Sequence, residues 1–140
     1  MKRFIFIISL LISSFASSFA QLLDNQPEYN DPDKPTTIGI IISTNDEETI
    51  WNVMRFANYS IEWGNKVSIF LLGKGVEIEG LAKTNKDIGD QVQKYLDLEG
   101  TIYGCQVCFQ SRKATNQICK LGCIQDMYEV VKKNKVVLSF

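Results

Sequence analysis

The sequence contains no histidine in 140 residues. Ser-His-Asp triads, Cys-His dyads and histidine metal sites all need an imidazole, so these classes of site are excluded. Cysteine is also missing from most of the chain, and all four cysteines fall within nineteen residues near the C-terminal end: Cys105, Cys108, Cys119 and Cys123. Any covalent chemistry of this protein is therefore expected to be sulfur chemistry.

Proline is equally restricted along the chain. The three prolines are Pro27, Pro32 and Pro35, and none occurs from Ile38 onward. A thioredoxin-type redox site needs a cis-proline facing its Cys-x-x-Cys, and that motif follows an early strand. Here the motif comes late in a proline-free region, which disfavours a thioredoxin fold.

The chain also lacks an excess of charge of either sign. It has 15 Lys and Arg residues against 16 Asp and Glu residues, a formal net charge of −1, and no basic stripe. Nucleic acid is therefore not expected among its partners. With 45% hydrophobic and 22% charged residues, the composition is that of one ordinary globular domain.

The first twenty residues have the pattern of a secretory signal peptide. Lys2 and Arg3 form a basic start, residues 4–12 are strongly apolar, and Ala20 ends a stretch suited to cleavage. The apolar core is too short to span a bilayer. Residues 21–37 are acidic, contain the prolines, and are predicted to be a flexible lead-in. We therefore expect a periplasmic or secreted protein, without membrane attachment after cleavage, in which disulfides can persist.

Residues 38–140 alternate between strand and helix patterns. Continuous β-branched runs predict buried strands, and apolar residues between them recur at helical spacing. A capping-box pattern from Thr44 to Glu47 predicts the start of the first helix, and Gly64 predicts its end. The predicted strands are 38–43, 67–72, 101–103 and 136–140. This alternation predicts an α/β domain with a mainly parallel sheet.

Polar or reactive residues follow three of these predicted strands. They are Ser43, Thr44 and Asn45 after the first strand, the loop of Gly73, Lys74 and Gly75 after the second, and Cys105 after the third. In parallel sheets, ligands gather at the carboxyl ends of the strands. We therefore expect these three loops to converge on one site.

Cys105 and Cys108 form a Cys-x-x-Cys where the third strand gives way to a helix. Backbone N–H groups at a helix start favour thiolate, which is the nucleophile toward sulfane sulfur. A second thiol three residues later can attack the resulting persulfide and release sulfide. Cys105 is thus the predicted acceptor and Cys108 the predicted resolver. Cys119 and Cys123 would share one face if they lay on a helix.

Two other interpretations of the cysteines stay open. The spacing Cys-x2-Cys-x10-Cys-x3-Cys can hold zinc or an iron–sulfur cluster in four thiolates, although the usual glycine-rich knuckle turns are missing. Structural disulfides are the second alternative, although a domain of this size does not need them to hold its core.

An ordered set of segments covers nearly all of residues 38–140. The set comprises the first strand with Ser43-Thr44-Asn45, residues 48–52 and 55–58, residues 64–77, Gly104-Cys105-Gln106-Val107-Cys108 with Arg112, Met127-Tyr128, and the last strand ending in Phe140. In this order the segments resemble the DsrE/DsrF-like family, which includes the TusD-type sulfur-relay subunits.

The resemblance implies a three-layer α/β/α sandwich with about five strands, assembled as a homotrimer or homohexamer. It implies that Cys105 carries a persulfide, taken from a sulfane-sulfur donor and passed to an acceptor protein or small polysulfide. Arg112 matches a frequent family arginine suited to stabilising thiolate or persulfide charge. Cys108 and Cys119 match cysteines of some members, and no organic cofactor is implied.

The chain departs from the family pattern at three positions. Lys113 and Lys120 stand where the family often has glycine and proline, and Cys123 has no family counterpart. An exported protein would not meet cytosolic relay partners, so a role in tRNA thiolation is not carried over. We expect extracytoplasmic sulfur handling by a carrier rather than a turnover enzyme. The alternative is a non-catalytic oligomeric binding protein whose cysteines form structural disulfides or a four-cysteine metal site.

Overall fold

The computed structural model describes residues 34–140, and residues 35–140 form one compact unit. The predicted signal peptide, residues 1–20, lies outside the described residues, as does most of the predicted lead-in. Among residues 34–140, no helix has the length and apolar character needed to cross a bilayer.

Five strands form a single sheet in which every neighbouring pair is parallel. The strand order is β4-β3-β2-β1-β5, so the chain starts near the middle of the sheet. The strands are β1 (Thr37–Ile42), β2 (Lys66–Leu71), β3 (Thr101–Cys105), β4 (Lys120–Gly122) and β5 (Val136–Ser139). The predicted α/β class with a parallel sheet is confirmed.

Five α-helices connect the strands. They are α1 (Glu47–Glu62), α2 (Ile78–Thr84), α3 (Lys86–Asp97), α4 (Gln106–Arg112) and α5 (Ile124–Lys133), and a short 3-10 helix, Gly73–Glu77, precedes α2. Within residues 34–140, only α1, α3 and α5 have ten or more residues. The shorter helices lie next to the carboxyl ends of β2 and β3, where they shape the loops of the candidate site.

Helices cover both faces of the sheet. Ile40 and Ile42 of β1 are fully buried in the main core, which also contains apolar side chains of α1 to α4. Gly39, which precedes Ile40, faces the other side, because a Cβ there would lie 2.9 Å from the carbonyl oxygen of Val130 in α5. The predicted three-layer α/β/α arrangement of about five strands is therefore confirmed.

The N-cap of the first helix lies two residues later than predicted. The Asp46 carboxylate accepts hydrogen bonds from the Thr49 backbone N–H, at 2.8 Å, and the Thr49 hydroxyl, at 2.7 Å. The Thr44 hydroxyl accepts from the Asp46 N–H instead. Asp46 is thus the N-cap, and the prediction of Thr44 was wrong because both residues can cap and only the backbone path selects between them.

Two further predictions of local structure were wrong. Residues 73–75 are not a plain loop but begin the 3-10 helix. Cys119 and Cys123 do not share a helix face, because β4 lies between them. Because β4 has only three residues and no apolar run, the sequence pattern does not predict it.

Gly75 fixes the 3-10 helix against the end of β1. A Cβ at this position would lie only 2.1 Å from the carbonyl oxygen of Ile42. Any side chain here would push the 3-10 helix away from the sheet. The close approach places the residues after β2 directly over the residues after β1.

Candidate functional site

The carboxyl ends of β1, β2 and β3 meet, as predicted. The Lys74 N–H donates a 3.2 Å hydrogen bond to the carbonyl oxygen of Ser43, which joins the loops after β1 and β2. The Glu77 carboxylate accepts from the Asn45 amide and from the Arg112 guanidinium, each at 2.8 Å. One carboxylate therefore ties together the segments that follow three neighbouring strands.

Glu77 is a site residue to which the sequence reasoning assigned no role. Hydrogen bonds from Arg112 and Asn45 hold the pKa of its carboxyl below the ordinary value, so it is charged near neutral pH. Its partners lie 32 and 35 residues away along the chain. No local sequence pattern predicts contacts between residues so far apart in the chain. The sequence does show an acidic residue directly after the glycines that follow β2, and this was the one sign of a polar site residue there.

Cys105 and Cys108 lie together at this edge of the sheet. Cys105 is the last residue of β3 and the N-cap of α4, and Cys108 is in the first turn of that helix. The Cys108 sulfur accepts a 3.3 Å hydrogen bond from the Gly73 N–H and also interacts with the Cys105 thiol. Both thiols are half-buried and unbridged. The site thus presents two adjacent thiols beneath the loop after β2.

The Cys108 thiol is less acidic than the motif alone suggests. Burial is the largest cause that raises its pKa above the ordinary value, and its hydrogen bond with Cys105 acts in the same direction. The Gly73 N–H and the charge of Arg112 lower the pKa, but they do not reverse the shift. Cys108 is therefore a neutral thiol near neutral pH, unlike the general expectation for a helix start.

Arg112 acts on Cys108 through its charge, while its guanidinium is bound to Glu77. Its direct partner is Glu77, at 2.8 Å, and both side chains are about one-third exposed. A surface ion pair of this kind contributes little to stability by itself. Arg112 therefore orients the loops through Glu77 and lowers the pKa of Cys108 through its charge.

Cys119 lies on the opposite face of the sheet from Cys105. A Cβ on Gly104 would meet Phe109 of α4 and would lie 3.5 Å from the Cys119 Cβ. Because side chains alternate along a strand, Cys105 points to the other face. Burial, together with the nearby charge of Glu79, raises the pKa of the Cys119 thiol to about 12. Cys119 is therefore an unreactive thiol in the folded protein.

Glu79 is a buried carboxylate that holds the segment leading to Cys119. It is only 3% exposed, and it accepts hydrogen bonds from the Lys83 ammonium at 2.7 Å and the Gln117 N–H at 2.6 Å. Burial raises the pKa of the Glu79 carboxyl, but hydrogen bonds from Lys83, Gln117 and Thr115 more than offset this and leave the pKa lowered. No local sequence pattern predicts the burial of this residue.

Cys123 is the exposed thiol of the four and begins α5 as its N-cap. Its sulfur accepts from the backbone N–H of Asp126, and its own N–H donates to the Asp126 carboxylate at 2.7 Å. Among residues 34–140, no group of three or more Cys, Asp or Glu side chains is arranged to hold a metal ion.

No protein-family model matches the chain, and no curated protein matches it significantly in sequence. Its fold is similar to the solved structure of a conserved protein of unknown function from Bacteroides thetaiotaomicron, with a TM-score of 0.62 and 20% sequence identity. The alignment covers 75% of this chain and 95% of that chain. At this identity the likeness shows a shared fold and nothing about activity.

Proposed function

We propose that this protein binds and relays sulfane sulfur as a persulfide on Cys105. The observation that supports the proposal best is the pairing of Cys105 and Cys108 at the carboxyl edge of a parallel sheet, under the loop after β2. Ligands of such sheets collect at this edge. The resemblance of the sequence to the DsrE/DsrF-like family points to the same chemistry.

The loading step needs only the donor and one thiolate. The Cys105 thiolate attacks the outer sulfur of a persulfide or inorganic polysulfide, a new sulfur–sulfur bond forms, and the shortened donor leaves as a thiolate or polysulfide anion. No net oxidation occurs, because the sulfane sulfur moves between two thiols. Arg112, whose charge lowers the pKa of the neighbouring Cys108, would favour anionic sulfur at this site.

Cys108 then limits the lifetime of the persulfide. Its thiolate can attack the inner sulfur, which forms a Cys105–Cys108 disulfide and releases the outer sulfur as sulfide, and an external thiol must then reduce that disulfide. Because the pKa of Cys108 is raised, this reaction is slow near neutral pH. A slow resolver suits a carrier, which must keep its sulfur until an acceptor arrives.

The test is intact mass spectrometry after exposure of the reduced protein to inorganic polysulfide, with and without later reductant. The wild-type protein is expected to gain sulfur that reductant removes. In the Cys108→Ser variant the adduct should persist longer, and the difference should grow as the pH is raised above the ordinary thiol value of 9.0. An adduct that decays equally fast in both proteins at high pH would contradict the resolving role.

The alternative function is that of a binding protein with structural disulfides or a four-cysteine metal site. Thiol titration and metal analysis of aerobically purified protein distinguish the two. Reactive or sulfur-labelled thiols support the carrier, whereas stoichiometric zinc or two inert disulfides support the alternative. The export of the protein, and with it an extracytoplasmic site of action, is part of the same proposal.

We also propose self-association through the outer face of α5. Ile124, Tyr128 and Val131 follow helical spacing and are 76%, 56% and 43% exposed. Val137 of β5 lies on the same side, because its register partner Gly39 faces α5. Contiguous exposed apolar side chains of this kind are typical of interfaces between proteins. A trimer or hexamer, as the resemblance implies, would cover them.

Sedimentation velocity tests this assembly. Tyr128→Glu is expected to shift the protein toward the monomer, because the substitution places a charge in an apolar contact. Tyr59→Glu is the matched control, since Tyr59 is 58% exposed on α1, away from the α5 face. If the two variants sediment alike, the proposed interface is wrong.

A further inference from the structure

Cys108 and Arg112 lie on the same face of α4, about one helical turn apart. Side chains at this spacing are neighbours on a helix surface, with Cβ atoms about 5–6 Å apart. The charge of Arg112 lowers the pKa of the Cys108 thiol, so the guanidinium is close enough to act on the sulfur. Its hydrogen bond nevertheless goes to the Glu77 carboxylate.

The short 3-10 helix, Gly73–Glu77, contacts this face of α4 at both of its ends. At its first residue the Gly73 N–H donates to the Cys108 sulfur at 3.3 Å, and at its last residue Glu77 accepts from Arg112 at 2.8 Å. A step of four residues spans about 8 Å in a 3-10 helix and about 6 Å in an α-helix. The two contacts therefore lie side by side, and Arg112 has a carboxylate and a thiol within its surroundings.

From this arrangement we infer that Glu77 withholds the Arg112 guanidinium from Cys108 and so prolongs the life of the persulfide on Cys105. The inference rests on the proposed function, in which Cys108 is the resolver. The Glu77 carboxylate is charged near neutral pH, whereas the Cys108 thiol is neutral, so the carboxylate holds the guanidinium. Glu77 is a positioning residue, because it acts on the thiol through Arg112 and takes no part in the sulfur transfer.

The reaction that Glu77 slows is the attack of the Cys108 thiolate on the inner sulfur of the persulfide. That attack forms the Cys105–Cys108 disulfide, the outer sulfur leaves as sulfide, and an external thiol later reduces the disulfide. The rate depends on the fraction of Cys108 that is thiolate. A guanidinium released from Glu77 would stabilise the thiolate, and the sulfane sulfur would be lost before an acceptor takes it.

Three groups besides burial set the charge of the Glu77 carboxyl. Hydrogen bonds from Arg112 and from the Asn45 amide lower its pKa, and the charge of Lys74, on the same 3-10 helix, acts in the same direction. Lys74 is therefore a second cation whose influence has to be separated from that of Arg112.

The other contacts of Cys108 do not involve Glu77. Burial and the hydrogen bond with Cys105 raise the pKa of the Cys108 thiol, and the Gly73 N–H lowers it. These influences stay in place when Glu77 loses its charge. A change at Glu77 is therefore expected to reach the thiol through Arg112.

The first test measures the Cys108 thiol in reduced, unloaded protein. In a Cys105→Ser background, the tryptic peptide that begins at Tyr95 carries Cys108 as its single cysteine. Alkylation of this peptide by iodoacetamide is followed by mass spectrometry as a function of pH, with and without Glu77→Gln. A more acidic thiol gives more thiolate near neutral pH but a less nucleophilic one.

The two effects predict pH profiles that cross. A released neighbouring charge is expected to raise the thiolate fraction at least about tenfold, and the lower nucleophilicity offsets this about threefold. Alkylation in Glu77→Gln should therefore be about threefold faster near neutral pH, and about threefold slower at high pH, where the thiol is ionised in both proteins. A site that is merely looser would react faster at every pH.

Three further variants in the same background make the outcome decisive. Glu77→Asp keeps the charge and should follow the profile of its parent. Glu62→Gln removes another surface ion pair of 2.8 Å, with Lys94, and is the matched control. Glu77→Gln should have no effect once Arg112→Gln is present, and an effect that persists there would assign it to Lys74. That result, profiles that do not cross, or Glu77→Asp behaving like Glu77→Gln would each overturn the role of Glu77.

The second test measures the persulfide in the protein with all four cysteines. After brief exposure to inorganic polysulfide, the adduct near neutral pH should decay about threefold faster in Glu77→Gln than in wild type, with release of sulfide. Glu62→Gln should decay like wild type. Equal decay in Glu77→Gln and wild type would overturn the role of Glu77 while leaving Cys105 as the acceptor. If the wild-type protein gains no sulfur, the proposed function is wrong, and Glu77 has no persulfide to protect.

Discussion

Replacing Cys105 with serine is expected to abolish sulfur loading from inorganic polysulfide, as read by intact mass. A serine hydroxyl forms no accessible anion near neutral pH, whereas a thiol does. The neighbouring thiol is not expected to substitute, because burial, the largest cause, raises the pKa of Cys108 and does not depend on Cys105. Cys119 is held neutral by burial, with its pKa raised to about 12.

The matched control for this prediction is Cys119→Ser. This substitution removes a thiol of the same cluster without touching the edge of the sheet that carries Cys105, so wild-type loading is expected. Circular dichroism of both variants checks that each variant is folded like the wild type. Equal loading of the Cys105→Ser variant and wild type would show that Cys105 is not the sulfur acceptor.

Replacing Glu79 with glutamine is expected to destabilise the protein by about 1–3 kcal/mol, the usual range for leaving buried hydrogen-bond donors without their acceptor. The glutamine amide would place N–H groups against the Lys83 ammonium or the Gln117 N–H, both of which now donate to the carboxylate. Glu62→Gln removes an exposed ion pair with Lys94 and is the matched control, with an expected loss of under about 1 kcal/mol.

The contribution of Glu79 also depends on pH with a defined sign. Because its pKa is lower in the folded protein than the ordinary value of 4.5, the stabilisation is present above pH 4.5 and is lost as the pH falls through the folded-state pKa. Urea unfolding of wild type and Glu79→Gln should therefore differ most near neutral pH and converge in acid. A gap that stays constant down to strongly acidic pH, or a variant as stable as Glu62→Gln, would show that Glu79 does not act in this way.

A second readout of Glu79 is local. The Gln117 contact holds the segment that precedes Cys119, so its loss should let that segment open and expose the thiol. Alkylation of the Cys119 peptide is therefore expected to accelerate in Glu79→Gln but not in Glu62→Gln. If alkylation of the Cys119 peptide accelerates but the free energy of global unfolding does not change, Glu79 stabilises only the segment that precedes Cys119.

The sequence predicts the central part of the fold well because burial leaves a strong pattern there. The isoleucines of β1 are buried on both faces, and such a strand reads as an unbroken apolar run. The amphipathic spacing of α1 and the meeting of the segments that follow β1, β2 and β3 were likewise predictable. The order of β4 beside β3 was not, because β4 is three residues long and its Leu121 is 56% exposed.

The sequence likewise predicts one part of the candidate site and not the other. Cys105 and Cys108 are visible as a motif, since their spacing is local. The Glu77 clamp and the contacts of Glu79 with the segment before Cys119 depend on residues far apart in the chain. Cys119 and Cys123 look equivalent by spacing, yet the short strand between them sends one into the core and leaves the other exposed.

The residues of the site follow strands that are distant in sequence, so the site forms only after those strands have paired during folding. The meeting of Asn45, Glu77 and Arg112 depends on the parallel pairing of β1 with β2 and of β2 with β3. Non-local pairing of this kind is slow relative to helix formation. During that interval the burial that protects Cys119 is not yet formed, so refolding under reducing conditions should give a higher yield of protein with four free thiols than refolding in air.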